Sequence, residues 1–306
     1  MCVPTILRHR LFAILGPVNV KDKVAIFGSA GQLGSDLVEV IQSSGSYDVI
    51  PLTHEIVDCT DAGAVRRAVL HSRPQFVINS AAYVRVDDCE DHAREAFDVN
   101  AVGALNIARA CAEIDALCVY IGTDYVFDGE KKTPYVESDS PNPINVYGVT
   151  KLAGEYLVRQ TSPRWLIVRV ASLFGKTGAR GKGGNFVETI LAKAKKGEAL
   201  RVVNDIHVSP TYARDAAKAI AGLLDRRQEG FVHATNSDNC TWYEFARQVL
   251  EYCRIEVPLC GVLSTQFPMR ARRPQNSSLV SETLSAYMAP WREALGHYLR
   301  DQGHLE

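Results

Sequence analysis

The sequence predicts an α/β protein built on a doubly wound parallel sheet, with a smaller C-terminal unit. Three observations carry this. An apolar strand, Val24-Ala25-Ile26-Phe27, runs into the glycine turn Gly28-Ser29-Ala30-Gly31-Gln32-Leu33-Gly34, and a helix with the stripe Leu37, Val38 and Ile41 follows. Strands then alternate with helical patterns five times over, which is the signature of parallel sheets. After Gly175 this alternation gives way to glycine-rich, basic and proline-punctuated segments.

The strand, glycine turn and helix form a Rossmann-type dinucleotide site if a ligand is present. Glycines let the backbone approach a pyrophosphate, and the helix N-terminus faces its charge. Read alone, the same turn is equally a strand–helix junction without a ligand. The second strand, Val49-Ile50-Pro51-Leu52, ends in Thr53-His54, with Glu55 just beyond. A carboxylate at this tip would hold ribose hydroxyls; its absence favours tolerance of a 2′-phosphate, although no Arg or Lys replaces it. Asp61 is the expected cap of the helix that begins near Ala64.

The third strand, Phe76-Val77-Ile78-Asn79, ends in Ser80-Ala81-Ala82-Tyr83, small enough to admit a flat ligand or simply to pack tightly. A long helix is expected over residues 93–112, with Asn100 read as a solvated or capping amide. The fourth strand, Leu117-Cys118-Val119-Tyr120-Ile121, delivers Gly122-Thr123-Asp124-Tyr125 to the same carboxyl edge, where ligands of open α/β sheets sit. Thr123 is either a loop hydroxyl bonding its own backbone or a donor to a carbonyl oxygen.

After a proline-punctuated loop comes Asn145-Val146-Tyr147-Gly148-Val149-Thr150-Lys151. On a helix, Tyr147 and Lys151 lie one turn apart on one face. An ammonium beside a phenol is expected to lower its pKa and ready it for proton exchange with an alcohol or ketone. Leu166-Ile167-Val168-Arg169-Val170 is the fifth strand, and Gly230-Phe231-Val232-His233-Ala234 reads as a sixth.

Residues 176–184 form a basic glycine loop, either a phosphate contact or a solvated segment. Asn185 opens an amphipathic helix, another is expected from Ala216, and Thr241-Trp242-Tyr243-Glu244 has the form of a capping box. Arg272 and Arg273 are either diphosphate ligands or surface charge. These patterns divide the chain into a tail (1–21), a dinucleotide-binding domain (22–175, with 207–235 returning to it) and a substrate-binding domain (176–206 and 236–306).

Composition narrows the function further. The 306 residues carry a net charge of -1, which argues against a dedicated nucleic-acid binder. No apolar run approaches a membrane span. The eight cysteines form no Cys-x-x-Cys pair and the histidines show no metal-ligand spacing, so no metal site is expected. Reduced thiols and a cytoplasmic setting are expected.

Taken together, Gly28 to Gly34, Thr123-Asp124-Tyr125-Val126-Phe127-Asp128-Gly129, Asn145 to Glu155, Ser209-Pro210-Thr211-Tyr212-Ala213-Arg214-Asp215 and Arg273-Pro274-Gln275-Asn276-Ser277 carry a resemblance. The chain resembles the extended short-chain dehydrogenase/reductases and, within them, the dTDP-4-dehydrorhamnose reductase family. The resemblance implies NADPH-dependent reduction of the keto group of a dTDP-4-keto-6-deoxyhexose, with NADH as a second cofactor and a homodimer as a compatible assembly.

It also implies roles. Gly31, Gln32 and Leu33 would hold the pyrophosphate, Asp58 and Cys59 would lie against the adenine, and Ala81, Ala82 and Tyr83 beside the cofactor. Tyr147 would be the proton donor, Lys151 its activator, and Thr123 its tuning partner. Thr123, Asp124, Ser172, Asn185 and Arg273 would face the nucleotide-sugar.

Two positions depart from the family pattern. Gly122 stands where the family often has Ser, and Ser172 replaces a Trp that would flank the substrate, so a looser hold on the sugar is expected. The alternatives are a reductase of another 4-keto nucleotide-sugar, and a non-catalytic NADP-binding subunit like the β subunit of methionine adenosyltransferase.

Overall fold

The computed structural model describes residues 21–178, 184–267, 269–284 and 288–305. The expected tail and the centre of the 176–184 loop lie outside the described residues. Strands β1 (Asp22–Phe27), β2 (Tyr47–Leu52), β3 (Phe76–Asn79), β4 (Leu117–Thr123) and β5 (Trp165–Val170) form one parallel sheet with a sixth strand, Gly230–His233. The order is sixth–β5–β4–β3–β1–β2. The sixth strand pairs with β5 in parallel, Gly230 opposite Leu166 and His233 opposite Arg169.

Both faces of the sheet are covered. Helices α1 (Gln32–Ser43) and α8 (Ala213–Asp225) close one side, burying Leu33, Leu37 and Ile41 with Ala216, Ile220 and Leu224. The other side is closed by α2 (Ala62–Ser72) and α5 (Gly103–Ile114), through Val65, Val69, Ile107 and Cys111. Asp61 caps α2 as expected, accepting from Ala64 N–H at 3.0 Å.

The expected helix over 93–112 is not continuous. The chain makes α3 (Val86–Asp91) and α4 (Ala93–Phe97), a π turn at Asp98–Val102, and only then α5. The π turn turns Asn100 fully inward, which corrects the reading of a solvated or capping amide. Its Oδ1 accepts from Tyr83 N–H at 2.8 Å, and its Nδ2 donates to Thr150 Oγ1 at 2.9 Å. π turns recur at functional sites because they re-aim a side chain out of helical register.

A third core lies beyond the sheet's carboxyl edge. Helices α7 (Phe186–Ala194), α9 (Trp242–Cys253) and α10 (Trp291–Asp301) pack Val187, Leu191, Phe245, Trp291, Leu295 and Tyr298 together. A two-stranded parallel ladder, Leu200–Val203 with Leu259–Val262, joins them. The capping box opens α9, with Thr241 Oγ1 and the Glu244 carboxylate reciprocally bonded. Among the described residues no helix is long and apolar enough to cross a membrane, and no disulfide joins the cysteines.

Helix α6 (Val146–Thr161) carries the Tyr-x-x-x-Lys pair and approaches β4 closely. A Cβ on Gly154 would stand 2.4 Å from both the Asn100 carbonyl and the Tyr120 hydroxyl. Because those neighbours are backbone and a buried ring, they have little room to move. Gly154→Ala is therefore expected to cost roughly 2 kcal/mol of stability. Urea unfolding checks this; an unchanged midpoint would show that α6 is free to shift.

Candidate active site

A cavity of about 600 Å³ opens along the carboxyl edge of the sheet. Its wall begins at the glycine turn. Gly28 has φ of 72°, and a Cβ there would lie 2.6 Å from Ala81 N, so glycine is required on both counts. Helix α1 has Gly31 at its N-cap, no side-chain cap and no acidic residue in its first turn. Its leading N–H groups are left for an anion. Gln32 Nε2 donates to the Leu173 carbonyl at 3.2 Å, tying this turn to the chain after β5. Gly34 packs directly under the Gly28 carbonyl.

The wall continues through His54, Asp58, Cys59 and Ala81 to Tyr83. The Thr60 N–H bonds Asp58 Oδ1 at 2.9 Å and holds that carboxyl below its ordinary range. Burial pushes the Cys59 thiol up to about 11, making it an apolar wall rather than a nucleophile. Tyr83 is fixed by both ends of the Asn100 amide. An uncapped helix N-terminus, a turn of small residues and a flat, small-residue floor fit a dinucleotide.

At the far end stand Thr123, Tyr147 and Lys151. Thr123 is the last residue of β4, and its hydroxyl donates to Asp124 Oδ1 at 3.0 Å. Asn145 caps α6 by accepting from Gly148 N–H at 2.8 Å, and Glu90 accepts from Val146 N–H at 2.9 Å. Tyr147 is thus held on the first turn. The Tyr125 ring meets it edge-on, with centroids 5.8 Å apart.

The electrostatics differ from expectation. Enclosure raises the Tyr147 phenol above its ordinary value, and the neighbouring Thr123 hydroxyl lowers it only in part. The charges that act on it, led by Asp124, raise it further. Lys151, 2% exposed, lies instead over the Tyr120 ring at 4.1 Å from its centroid. Burial pushes Lys151 down to about 7, with Glu155 opposing. Of the pair, Lys151 moves towards neutrality and Tyr147 away from it.

On the substrate side, Asp124 and Ser172 line the cavity, Ser172 with a left-handed φ of 42°. Asn185 also lines it, but its amide is committed: Oδ1 accepts from Glu188 N–H and Nδ2 donates to Gly175 O and Tyr298 Oη. Arg273 lies outside the lining, paired with Asp87 at 2.8 Å. Five lining aromatics were given no site role from the sequence: Tyr125, Phe174, Phe186, Trp242 and Phe245. Phe186 and Trp242 are 4.7 Å apart and give the cavity an aromatic wall despite Ser172. Their aromatic type was visible, but their convergence depends on how α7 and α9 pack.

A family model described as RmlD substrate binding domain matches residues 22–303. The spore coat polysaccharide biosynthesis protein SpsK of Bacillus subtilis is 38% identical over 283 residues, covering 92% of this chain and 98% of its own. A dTDP-4-dehydrorhamnose reductase of Mycobacterium tuberculosis is 37% identical, covering 90% and 91%. The chain belongs to the dTDP-4-dehydrorhamnose reductase family. A crystal structure of a Bacillus anthracis dTDP-4-dehydrorhamnose reductase in complex with NADP superposes with a TM-score of 0.87 at 35% identity, covering 92% of this chain and 100% of that one.

In this dTDP-4-dehydrorhamnose reductase family member, Gly122 has a local cause. A Cβ there would sit 2.7 Å from Glu155 Oε1 and 2.9 Å from Arg169 Cγ. Those two side chains form a buried bidentate ion pair behind Lys151, at 2.8 and 3.0 Å.

The Lys151 shift has a measurable sign. Its folded value of about 7 lies below the ordinary lysine value of 10.5. Between these values the unfolded chain holds more proton, so the ligand-free protein gains stability as pH rises through that window. Lys151→Met should remove this component. Urea unfolding of both proteins at about pH 6.5 and about pH 8.5 checks it: wild type should gain relative to the variant, and parallel behaviour would contradict the shift.

Proposed function

We propose that this protein reduces the 4-keto group of dTDP-4-dehydrorhamnose to give dTDP-L-rhamnose, with NADPH as cofactor. The observation that carries the reading is the convergence of Thr123, Tyr147 and Lys151 at one end of a cavity whose other end is the uncapped N-terminus of α1. Family membership supplies the substrate class, and the NADP-bound relative supports the cofactor. The lack of a carboxylate at the tip of β2 agrees with room for a 2′-phosphate.

NADPH supplies the hydride when bound, and the protein orients and polarises. Gly31, Gln32 and Leu33 would hold its pyrophosphate at α1, with Asp58 and Cys59 against the adenine and Ala81, Ala82 and Tyr83 along the middle. Tyr147 gives its proton to the carbonyl oxygen as carbon 4 accepts the hydride. Thr123 bonds the phenol, and Lys151, poised to about 7, exchanges a proton close to neutrality and returns one to the tyrosine. The raised phenol value keeps Tyr147 protonated before the reaction.

The sugar would rest against Asp124, Ser172 and the Phe186–Trp242 wall, and Arg273, outside the lining but against its Tyr125, would meet the diphosphate where it leaves the cavity. The segments 176–206 and 236–306 would then act as the substrate-binding domain, with Asn185 shaping the entrance through its cap of α7. A cytoplasmic setting belongs to the same proposal.

Tyr147→Phe should lower kcat by about a hundredfold or more while leaving NADPH affinity unchanged. Assay with NADPH and dTDP-4-dehydrorhamnose, beside cofactor titration by fluorescence, is the check; near-wild-type turnover would remove Tyr147 as proton donor. Trp242→Ala should raise KM for the nucleotide-sugar roughly fivefold, in keeping with about 1 kcal/mol for a lost aromatic contact. An unchanged KM would place the sugar elsewhere in the cavity.

A further inference from the structure

Helix α3 sits between the two parts of the site and is acidic at Asp87, Asp88, Glu90 and Asp91. Its start, Val86, lines the cavity. Glu90 bonds the Val146 N–H at the start of the Tyr147 helix. From the same helix, Asp87 reaches the loop that carries Arg273. Its Oδ1 accepts from Ala271 N–H at 3.0 Å, and its two oxygens take Arg273 Nη1 and Nη2 at 3.2 and 2.8 Å.

The guanidinium is closed from a third side by the Ala271 carbonyl, at 2.8 Å from Nη1. It faces the phenol of Tyr125, whose ring meets Tyr147. The loop is pinned again from α6, where Asn145 Nδ2 donates to the Arg272 carbonyl at 2.9 Å. Arg270 pairs with Asp88 and Asp91 on the outer face. Arg273 is 14% exposed against 59% for Arg270, so its pairing is less screened than the outer one.

We propose that Asp87 is a positioning residue that acts through Arg273, registering the diphosphate-binding arginine against the helix that carries Tyr147. This rests on the reading of Arg273 as a diphosphate contact. A long, flexible guanidinium loses several rotatable bonds' worth of freedom when it grips an anion. A bidentate carboxylate behind it fixes the planar fork beforehand, so that the N–H not given to Asp87, Ala271 or Tyr125 meets the ligand in a set direction. Because Glu90 anchors α3 to α6, the distance between the gripped diphosphate and the Tyr147 hydroxyl is set by one rigid helix.

A double-mutant cycle on the full-length enzyme tests this, with Asp87→Asn, Asp87→Glu, Arg273→Ala and the Asp87→Asn/Arg273→Ala pair. NADPH affinity is measured throughout as the control for folding. Asp87→Asn should raise KM for dTDP-4-dehydrorhamnose roughly tenfold, with kcat within about twofold of wild type and NADPH affinity unchanged. Asp87→Glu should recover part of the loss. In the Arg273→Ala background, Asp87→Asn should add nothing to the defect in kcat/KM.

Additive effects, or a loss of NADPH affinity and kcat in Asp87→Asn, would overturn the proposal in favour of a general structural role. A normal KM in Asp87→Asn beside an impaired Arg273→Ala would overturn it while leaving the diphosphate reading intact. A normal KM in Arg273→Ala would remove that reading and this proposal together.

Discussion

The approach of helix α6 to strand β4 is the contact on which the rest of the site depends. Gly154 lets the helix lie against Tyr120 and the Asn100 carbonyl, and the Tyr120 hydroxyl donates to that carbonyl at 2.9 Å. This depth puts Lys151 over the Tyr120 ring and strips it of water, which moves its pKa towards neutrality. The same depth places Tyr147 beside Thr123 at the end of β4. Raising the helix by one methyl group would disturb proton donor, proton reservoir and hydroxyl partner together.

Around that contact the protein uses charge sparingly and in fixed places. Behind Lys151 the Glu155–Arg169 pair is 2% exposed on both sides, and Arg169 also lies over Phe127 and Phe231. Breaking a buried pair strands a charge, so either partner is costly to lose. Room for this pair is what excludes a side chain at Gly122. In front of Lys151, the acidic helix α3 ties the start of α6 to the arginine loop. The chemistry at Tyr147 and the grip on the substrate thus share one scaffold.

Much of this architecture was legible in the sequence because it rests on local signals. Apolar runs marked β1 to β5 and the sixth strand, the glycine turn marked the start of α1, and Asp61 and Thr241–Glu244 marked two helix starts. The Tyr147–Lys151 spacing was legible for the same reason, since four residues on a helix define a face. The π turn was not, because the small and apolar residues on either side of Asn100 continue through it without a break in pattern. Nor was the direction of the Tyr147 shift: a one-turn spacing says nothing of burial, which raises the phenol, or of Asp124, whose charge raises it further. Arg273 and Asp87 are far apart in the chain, so their pairing could not be read before the fold placed α3 against the late loop.

The central claim is that a hydride from NADPH and a proton from the protein reach one carbonyl. Transfer from cofactor deuterated at the nicotinamide 4-position, followed by mass spectrometry of the sugar product, tests this most directly. The account predicts a product carrying one deuterium from the cofactor at carbon 4 and an exchangeable hydrogen on its oxygen. A chain that binds NADPH tightly yet transfers no deuterium to dTDP-4-dehydrorhamnose would contradict it.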